Sequence, residues 1–535
     1  MKKKLLCILL LVSMVVVMFA GCAKTEAEKD STVTGKNDTV TEGNDTVTEE
    51  TKNEESKEDT TASPIVEGEI NVEAATKEQV EAFINDSDEK TILVDARPQE
   101  SYSGWALEGA ANGGHLKGAI LYSARWLDFK MDDERREKRL AEYNDAIVLS
   151  SENSYIVYDY DGTKGAALNV AKYFKKQGIE NVKVFNAKDM IDAGENIEKY
   201  TNYDRFIPSE IVKTISDYKS GATDELNTAV TGAAGITEAN IDKVVLIDVS
   251  YGNVHESSYL ADGHVPGSIH LNTNVYERPR SYTPEKREPY SIEYRLIPIE
   301  EFRDSLCPEY GINTDSIVIA TSSDGRPLAR FGFMLRSLGV KYYAMSGNMN
   351  AWNYNGYRLD TENIEKPESV DGFGSDKIAY PDEIVWMDQV KRILSGEEEG
   401  TVVGAADFST YRYHDLMGKI PGIVGEGTII SQNIDDTPPM RELILKGYSN
   451  AGISTDKLIV PFCGDGWAAS RTAYNAQAVD VNNIKYWGEG WVVWSNSGNE
   501  FETYDGKLAH YDKYLDAVVD KDGNIITDEN VMKAE

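Results

Sequence analysis

A pattern of residues that recurs three times after residue 64 constrains the fold of this chain more than any other feature. Each copy opens with a β-branched run, continues through a glycine-containing turn, and then gives a second apolar run, a loop and a helical stretch. The opening runs are Thr91–Asp95, Val244–Asp248 and Thr401–Val403. The turns are Gly114–Ile120, Gly263–Ile269 and Gly418–Ile423. The second apolar runs are Tyr155–Tyr158, Ile317–Ala320 and Leu458–Phe462. Strands that alternate with helices in this way are typical of parallel α/β units.

The length of the repeated region predicts three domains, because a stretch this long exceeds what one hydrophobic core supports. We place copy one at residues 65–204, copy two at 205–370 and copy three at 371–535. The linkers are expected near Thr201–Asp204 and Lys366–Asp376. The tail from Asp505 is expected to form a final helix and strand, or to be partly disordered.

Cys463 is the residue that most directly indicates chemistry. It follows the apolar run Leu458–Phe462 and precedes a short glycine-bearing turn and an alanine-rich stretch that begins a predicted helix. A turn of this kind directs main-chain N–H groups and a helix N-terminus at the sulfur. Such a field stabilises a thiolate, so we interpret Cys463 as a nucleophile. The alternative is a buried structural cysteine.

Features that recur in the same order resemble the rhodanese-like (sulfurtransferase) family. They include the strand that ends in Asp95-Ala96-Arg97, the turn Gly263–Gly267 and the region Gly488–Trp494. The resemblance implies an α/β protein of three tandem rhodanese-like domains, each a small doubly wound parallel sheet of five strands flanked by helices. It also implies an active cysteine on the loop between the fourth strand and its helix.

The three copies differ at that loop. Copy three has Cys463, whereas copy one has Asp159 and copy two has Ser322. A carboxylate cannot carry a sulfane sulfur, and a serine oxygen forms no stable persulfide analogue. Copies one and two are therefore predicted to be inactive, and copy three to be catalytic. The inactive copies are either scaffolding or a wall of the copy-three cleft, and the sequence favours neither.

The resemblance implies a sulfurtransferase that works through a persulfide on Cys463. The thiolate takes sulfur from a small donor of mercaptopyruvate, thiosulfate or polysulfide type, and a thiol or cyanide acceptor then removes it. The residues expected to surround the persulfide are Gly464, Asp465, Gly466, Trp467, Ala468, Ala469, Ser470 and Arg471. Ser470 is expected to cap or line the helix start, and Arg471 is either a donor contact or part of a surface salt bridge.

The composition of the loop leaves the donor open. Asp465 would repel a dianionic donor, and Trp467 offers an apolar wall to a larger or less charged one. A second hypothesis is a non-catalytic surface binding or sensor protein built from degenerate rhodanese domains. In that hypothesis Cys463 is a relic or a sensory thiol.

Other chemistries fit the sequence poorly. A cysteine phosphatase of the related fold needs arginine six residues after the cysteine, where Ala469 stands. A zinc site needs clustered cysteine and histidine, but the six histidines are scattered. His115 and His264 belong to the repeated turn, where a structural hydrogen-bonding role is expected. No nucleotide-binding fingerprint occurs, so we expect neither a metal nor a cofactor.

Residues 1–21 are predicted to be a lipoprotein signal peptide. Lys2–Lys4 precede the apolar run Leu5–Phe19, and Ala20-Gly21-Cys22 resembles a bacterial lipobox, which implies cleavage before Cys22 and lipidation of its sulfur. Residues 22–64 have almost no large apolar side chains and are predicted to be a disordered tether. We expect a protein anchored by lipid on the extracytoplasmic face of a bacterial cell membrane. Ordinary signal cleavage followed by secretion is the alternative.

The formal net charge of −35, from 90 acidic and 55 basic residues, argues against nucleic acid as a partner. It also argues against docking on anionic lipid, so the lipid anchor is the expected membrane contact. Of the four cysteines, Cys7 leaves with the signal and Cys22 is expected to be acylated. Cys307 and Cys463 remain, and no disulfide framework is expected.

Overall fold

The computed structural model of the protein describes residues 70–86, 90–277, 295–404, 418–424, 432–503, 505–512, 514–515 and 517–526. Residues 62–535 cluster as one compact unit. The predicted signal peptide, Cys22 and nearly all of the predicted tether precede that unit, and all three lie outside the described residues. None of the helices in the described part of the chain is both long and apolar enough to cross a lipid bilayer.

Copy one forms a parallel sheet of five strands. Their order is Glu73–Ala74, Val182–Asn186, Ser154–Asp159, Thr91–Asp95 and Ile120–Leu121. A separate antiparallel pair joins His115–Leu116 to Ile197–Glu198. The α-helices are Lys77–Ile84, Gln99–Ser103, Arg125–Asp128, Asp133–Ala146, Ala166–Lys176 and Lys188–Ala193. The central strand is almost continuously buried, as expected for a parallel strand covered by helices on both faces.

Copy two repeats this sheet with the same strand order. The order is Phe206–Ile207, Lys341–Met345, Ile317–Thr321, Val244–Ser250 and Ile269–Asn272, and all neighbours are parallel. Its α-helices are Ser209–Lys219, Thr228–Thr231, Ser258–Ala261, Ile299–Glu301, Cys307–Glu309, Gly325–Ser337 and Asn348–Tyr354, with a π-helical turn at Phe302–Leu306.

Copy three has a shorter regular sheet in its described residues. Thr401–Gly404 and Ile459–Phe462 pair in parallel. Single parallel bridges join Val403 to Val424, Ile459 to Ile484 and Val385 to Trp487. The α-helices are Met387–Ser395, Arg441–Asn450, Trp467–Ala478 and Gly490–Asn496.

The tail of copy three is a small antiparallel sheet. Phe501–Glu502 pairs with Leu508–Asp512, which pairs with Ala517–Asp520. The expectation of a final helix is wrong for the described part of the tail. Ala509 and Tyr511 are buried while the residues between and beside them are more exposed, and this period of two is that of a strand.

One hydrophobic cluster extends through all three copies. It contains Trp126 and Phe174 of copy one, Phe331 and Tyr342 of copy two, and Tyr474 of copy three. Within it, the helix Gly325–Ser337 of copy two packs against the helix Trp467–Ala478 of copy three. This packing brings copy two next to Cys463.

Candidate active site

The Cys463 loop lies between the strand Ile459–Phe462 and the helix Trp467–Ala478, as the sequence predicted. Gly466 is the residue that precedes the helix, and its φ of +91° is in the left-handed region that favours glycine. A Cβ added there would lie 2.6 Å from Nη1 of Arg330 and 3.0 Å from the carbonyl oxygen of Gly488. Both the backbone angle and the available space therefore require glycine.

The sulfur of Cys463 accepts main-chain hydrogen bonds from the loop and the helix start. The N–H groups of Ala469, Asp465 and Gly466 donate to it. These three N–H groups belong to the loop and helix start that the sequence predicted to surround the sulfur, and each lowers the pKa of the Cys463 thiol. This is the arrangement that stabilises an anionic sulfur at a helix N-terminus.

The Gly488–Trp494 region holds the other side of the loop. The N–H of Trp491 donates to the carbonyl of Cys463 over 2.9 Å, and the N–H of Val492 donates to the carbonyl of Gly464 over 2.8 Å. Gly490 has a φ of +70°, and a Cβ there would lie 2.6 Å from the Cys463 carbonyl oxygen. These contacts direct the loop carbonyls away from the sulfur and leave its N–H groups to face it.

Burial dominates the ionisation of Cys463. The residue is only 6% exposed. Burial first, and the nearby charge of Asp465 second, raise the pKa of the Cys463 thiol to about 11, although the three amides act in the opposite direction. Three main-chain donors do not offset the loss of water around the charged form.

Asp465 turns its carboxylate towards the cysteine. Cys463 Sγ donates to Oδ1 of Asp465 over 3.7 Å. The same oxygen accepts the N–H of Trp467 over 3.2 Å. The carboxylate is thus held beside the thiol, inside the loop.

Copy two forms the wall behind the loop. Arg330, on the helix Gly325–Ser337, is fully buried and donates to the carbonyl of Asp465. Its Nε pairs with Oε1 of Glu277 at 2.8 Å. Its guanidinium carbon lies 5.9 Å from the centre of a Trp467 ring, within cation–π range. Of the two roles left open for the copies predicted to be inactive, copy two therefore has the wall role.

Two further arginines stand close to the sulfur. Hydrogen bonding to Asp324, with smaller contributions from the charges of Asp465 and Cys463, raises the pKa of Arg326. Arg471 pairs with Oδ1 of Asp324 at 3.7 Å, so its salt-bridge role is present, while the charge of Cys463 also acts on it. Both guanidinium groups are thus electrostatically coupled to the cysteine.

Sequence reasoning missed Arg326 and Arg330, because they lie over 130 positions before Cys463 in a copy predicted to be inactive. Their spacing of four residues on the helix Gly325–Ser337 was the available signal, since it puts both on one helix face. It did not indicate which neighbour that face would meet.

The remaining predicted loop residues have structural positions. Ala469 and Ser470 are fully buried, and Ala468 is half-buried. Ser470 Oγ donates to the carbonyl of Trp467 over 2.7 Å. Of the two positions expected for Ser470, it has the second: it lies in the first turn of the helix, and Gly466 occupies the cap position.

Asp159 occupies the corresponding place in copy one. Its Oδ1 accepts the N–H of Gly162 over 2.8 Å, and its Oδ2 accepts the N–H of Ala167 over 2.9 Å. The carboxylate therefore takes the main-chain donors that an anionic sulfur would need. Burial raises the pKa of Asp159 despite these donors.

Ser322, the copy-two counterpart, is 1% exposed, and its Oγ accepts the N–H of Asp324 over 3.2 Å. The two turn histidines have the structural role expected of them. Nδ1 of His115 lies 2.8 Å from the carbonyl of Tyr102, and Nδ1 of His264 lies 2.9 Å from that of Tyr259.

Within the described residues there is no group of three or more histidine, cysteine, aspartate or glutamate side chains that could hold a metal ion. Cys307 and Cys463 are both free thiols. Burial raises the pKa of Cys307, which packs in the hydrophobic cluster shared by the three copies. Cys307 is a structural residue.

A model of the rhodanese-like domain matches residues 76–187 and 234–355, which lie in copies one and two. Two separate segments of the chain thus match this domain model. The chain is 23% identical over 421 residues to the thiosulfate sulfurtransferase YnjE of Escherichia coli, covering 75% of this chain and 86% of that protein. It is 24% identical over 250 residues to the 3-mercaptopyruvate sulfurtransferase of Escherichia coli, covering 44% of this chain and 80% of that enzyme. These relatives associate the rhodanese-like domains with sulfur transfer in general.

Solved structures share the fold over most of the chain. The anaerobic ergothioneine biosynthesis enzyme from Chlorobium limicola, in complex with its natural substrate trimethyl histidine, aligns with a TM-score of 0.64 and 23% identity. The alignment covers 81% of this chain and 99% of that one. A variant of EanB in complex with ergothioneine gives a TM-score of 0.64 at 22% identity, with 81% of this chain and 99% of that chain covered.

Proposed function

We propose that this protein is a sulfurtransferase that carries sulfane sulfur as a persulfide on Cys463. The observation that supports this most strongly is the set of three main-chain N–H groups that donate to the Cys463 sulfur at the start of the helix Trp467–Ala478. A persulfide anion needs the same donors, and the loop supplies them without further rearrangement.

We further propose that copy three is a third rhodanese-like domain. In copies one and two each sheet follows one spatial order. The strand pairings in copy three follow the same order. Val385 pairs with the segment Ile484–Trp487, and this segment pairs with Ile459–Phe462. Ile459–Phe462 then pairs with Thr401–Gly404, which pairs with Val424. The nucleophile follows the central strand, the position that Asp159 and Ser322 hold in the other copies.

The proposed reaction has two steps. The Cys463 sulfur attacks the outer sulfur of a donor and releases the remainder of the donor. A thiol or cyanide acceptor then takes the sulfur and restores the thiol. Copies one and two do not carry sulfur, because Asp159 and Ser322 already use their side-chain oxygens inside their own loops.

The donor class in this proposal is a small anion, of thiosulfate or 3-mercaptopyruvate type. Arg326 is about half exposed and Arg471 about one-fifth exposed. Both are coupled to the Cys463 charge, so they are placed to hold a carboxylate or sulfonate while the donor sulfur meets Cys463. They oppose the repulsion that Asp465 exerts on such a donor.

The test is direct detection of the sulfur adduct. The full chain, purified in detergent, is incubated with thiosulfate, 3-mercaptopyruvate or polysulfide, and Cys463 is examined by mass spectrometry for a gain of one sulfur. Cys463→Ser is the control. Cyanide, a small thiol and trimethyl histidine are then offered as acceptors; the last is included because a protein of the same fold binds it. If wild type and Cys463→Ser behave alike with every donor, the non-catalytic binding or sensor hypothesis replaces this one.

We also propose that the protein is exported and anchored by lipid on Cys22, with the folded part held outside the cytoplasm by the tether. The support is the sequence of the first 64 residues. Metabolic labelling with a fatty acid, lost in Cys22→Ser, tests the anchor.

A further inference from the structure

The carboxylate of Asp465 lies inside the loop, and the reaction proposed above assigns it no role. Oδ1 of Asp465 lies 3.7 Å from Sγ of Cys463, with the thiol as donor. This is a hydrogen bond to the reacting atom itself, so Asp465 is placed to act on the proton of Cys463.

Two contacts hold that carboxylate in position. The N–H of Trp467 donates to the same Oδ1 over 3.2 Å, which fixes the side chain. The buried guanidinium of Arg330 donates to the main-chain carbonyl of Asp465, which fixes the backbone. Arg330 is itself paired with Glu277, whose charge acts on the guanidinium more strongly than that of Asp465.

The loop needs a proton acceptor, since the cysteine is protonated at neutral pH. Burial, together with the charge of Asp465, raises the pKa of Cys463 to about 11, so the neutral thiol is the main form at pH 7. A base beside the thiol removes this restriction, because the proton can leave while the new sulfur–sulfur bond forms.

We propose that Asp465 is the general base, and then the general acid, of sulfur transfer at Cys463. This inference rests on the proposed sulfurtransferase function. It assigns a catalytic role to a residue that the sequence suggested would only repel the donor.

The proton and electron balance is complete with thiosulfate as donor. The Cys463 sulfur forms a bond to the outer sulfur, and the bond from that sulfur to sulfite breaks with its electron pair leaving on sulfite. The Cys463 proton moves to Asp465, giving the persulfide anion and a neutral carboxyl. In the second step cyanide takes the outer sulfur as thiocyanate, the sulfur–sulfur electron pair returns to Cys463, and Asp465 gives the proton back. No external oxidant or reductant is needed.

Several charged or titratable groups face the thiol and affect its pH dependence. Asp465 lies on the same loop, Arg471 on the following helix, Arg326 on the copy-two helix and Tyr486 on the next strand segment. Arg326 and Arg471 are cationic and the pKa of Tyr486 is raised, so none of these three accepts a proton at pH 7. Asp465 is the acceptor among them.

The test uses iodoacetamide, a neutral probe that needs no sulfur donor, on the full chain with Asp465→Asn. Asparagine keeps an oxygen for the Trp467 N–H but cannot take a proton. If Asp465 acted only through its charge, the substitution would lower the pKa of Cys463 and alkylation would become faster. A base role predicts the opposite: alkylation at pH 7, and persulfide formation, slow by about 10²-fold, the low end for a positioned base. An alkylation rate equal to or above wild type overturns the proposal.

Asp456→Asn is the matched control, because it removes an exposed carboxylate before the same strand. If Asp465→Asn does not fold, the wild type still provides a test. With the base present, alkylation levels off below the thiol pKa; a tenfold fall per pH unit from pH 10 to 7 overturns the inference. Suppose that Asp465→Asn slows alkylation as expected but the wild type gains no sulfur from any donor. That result would reject the sulfurtransferase function and leave the role of Asp465 as a base intact.

Discussion

The guanidinium of Arg330 in copy two lies directly against Gly466 in copy three, so close that a Cβ on Gly466 would meet Nη1 at 2.6 Å. Arg330 and Gly466 are more than a hundred residues apart in sequence, yet there is no room between them for one additional carbon atom. The contact explains how copy two, which has Ser322 at the corresponding loop position, contributes to the surroundings of Cys463 in copy three.

Gly466→Ala should therefore disrupt the loop. The substitution strains a φ of +91°, at about 1 kcal/mol or more, and also forces Arg330 or the loop to move. We expect at least a tenfold loss of persulfide formation on Cys463, measured by mass spectrometry. Gly396→Ala is the matched control, because it has a φ of +79° and no atom within 4 Å of the added Cβ. Equal losses in both variants would mean that backbone strain alone, and not the Arg330 contact, is responsible.

Arg330→Met should lower both stability and activity. It removes the charge that compensates buried Glu277, and breaking a buried pair in this way costs ~3–5 kcal/mol. Adding Glu277→Gln should recover much of the free energy of unfolding, but not the sulfur adduct, because the Asp465 carbonyl still lacks its donor. Denaturant unfolding and the adduct assay are compared for the three variants. Recovery of activity together with stability would show that Arg330 acts only as a stabilising residue.

Arg326→Gln should weaken the binding of anionic donors. The side chain is about half exposed and its charge acts on Cys463, so we expect a roughly tenfold rise in KM for thiosulfate with a smaller change in kcat. Alkylation of Cys463 by neutral iodoacetamide should change much less. Arg392→Gln, which breaks an exposed pair with Glu398 in copy three, is the control for loss of a surface charge. An unchanged KM in Arg326→Gln would exclude this residue from donor binding.

Asp159→Asn should destabilise copy one without affecting sulfur transfer. The carboxylate accepts two main-chain N–H groups, from Gly162 and Ala167, whereas an amide offers one oxygen and turns an NH2 group towards the other donor. We expect a loss of ~1–3 kcal/mol in the free energy of unfolding and an unchanged yield of adduct on Cys463. A large loss of adduct at full stability would instead link copy one to the reaction.

Asp248 should make stability depend on pH. Burial raises its pKa in the folded protein to about 7, against about 3.9 in an unfolded chain. Between these values the folded state holds a proton that the unfolded state has lost, so the free energy of unfolding falls as pH rises from 4 to 7. The fall amounts to at most ~4 kcal/mol. Asparagine is neutral at every pH, so the free energy of unfolding of Asp248→Asn should vary less over this pH range. Equal pH slopes in the two proteins would contradict this.

Much of the fold could be predicted from local sequence. The strands Thr91–Asp95, Val244–Ser250 and Ile459–Phe462 lie within a few residues of their apolar runs, because buried parallel strands need continuous apolar residues. The tail was predicted less well, because the strand Leu508–Asp512 is short and its alternation of buried and exposed residues is difficult to recognise. The position of Cys463 before a helix was also predictable, because the glycines and the apolar strand are adjacent to it in the chain.

By itself the sequence predicted Cys463 as the nucleophile, placed Asp159 and Ser322 at the corresponding position of the other copies, and predicted that the loop directs main-chain N–H groups at the sulfur. The tertiary structure alone decided the protonation of Cys463, the position of the Asp465 carboxylate and the contribution of Arg326 and Arg330. The physical reason is range: strand and turn preferences act between neighbours in the chain. Burial and charge act between neighbours in space, and those come from copies that the chain brings together only when it folds.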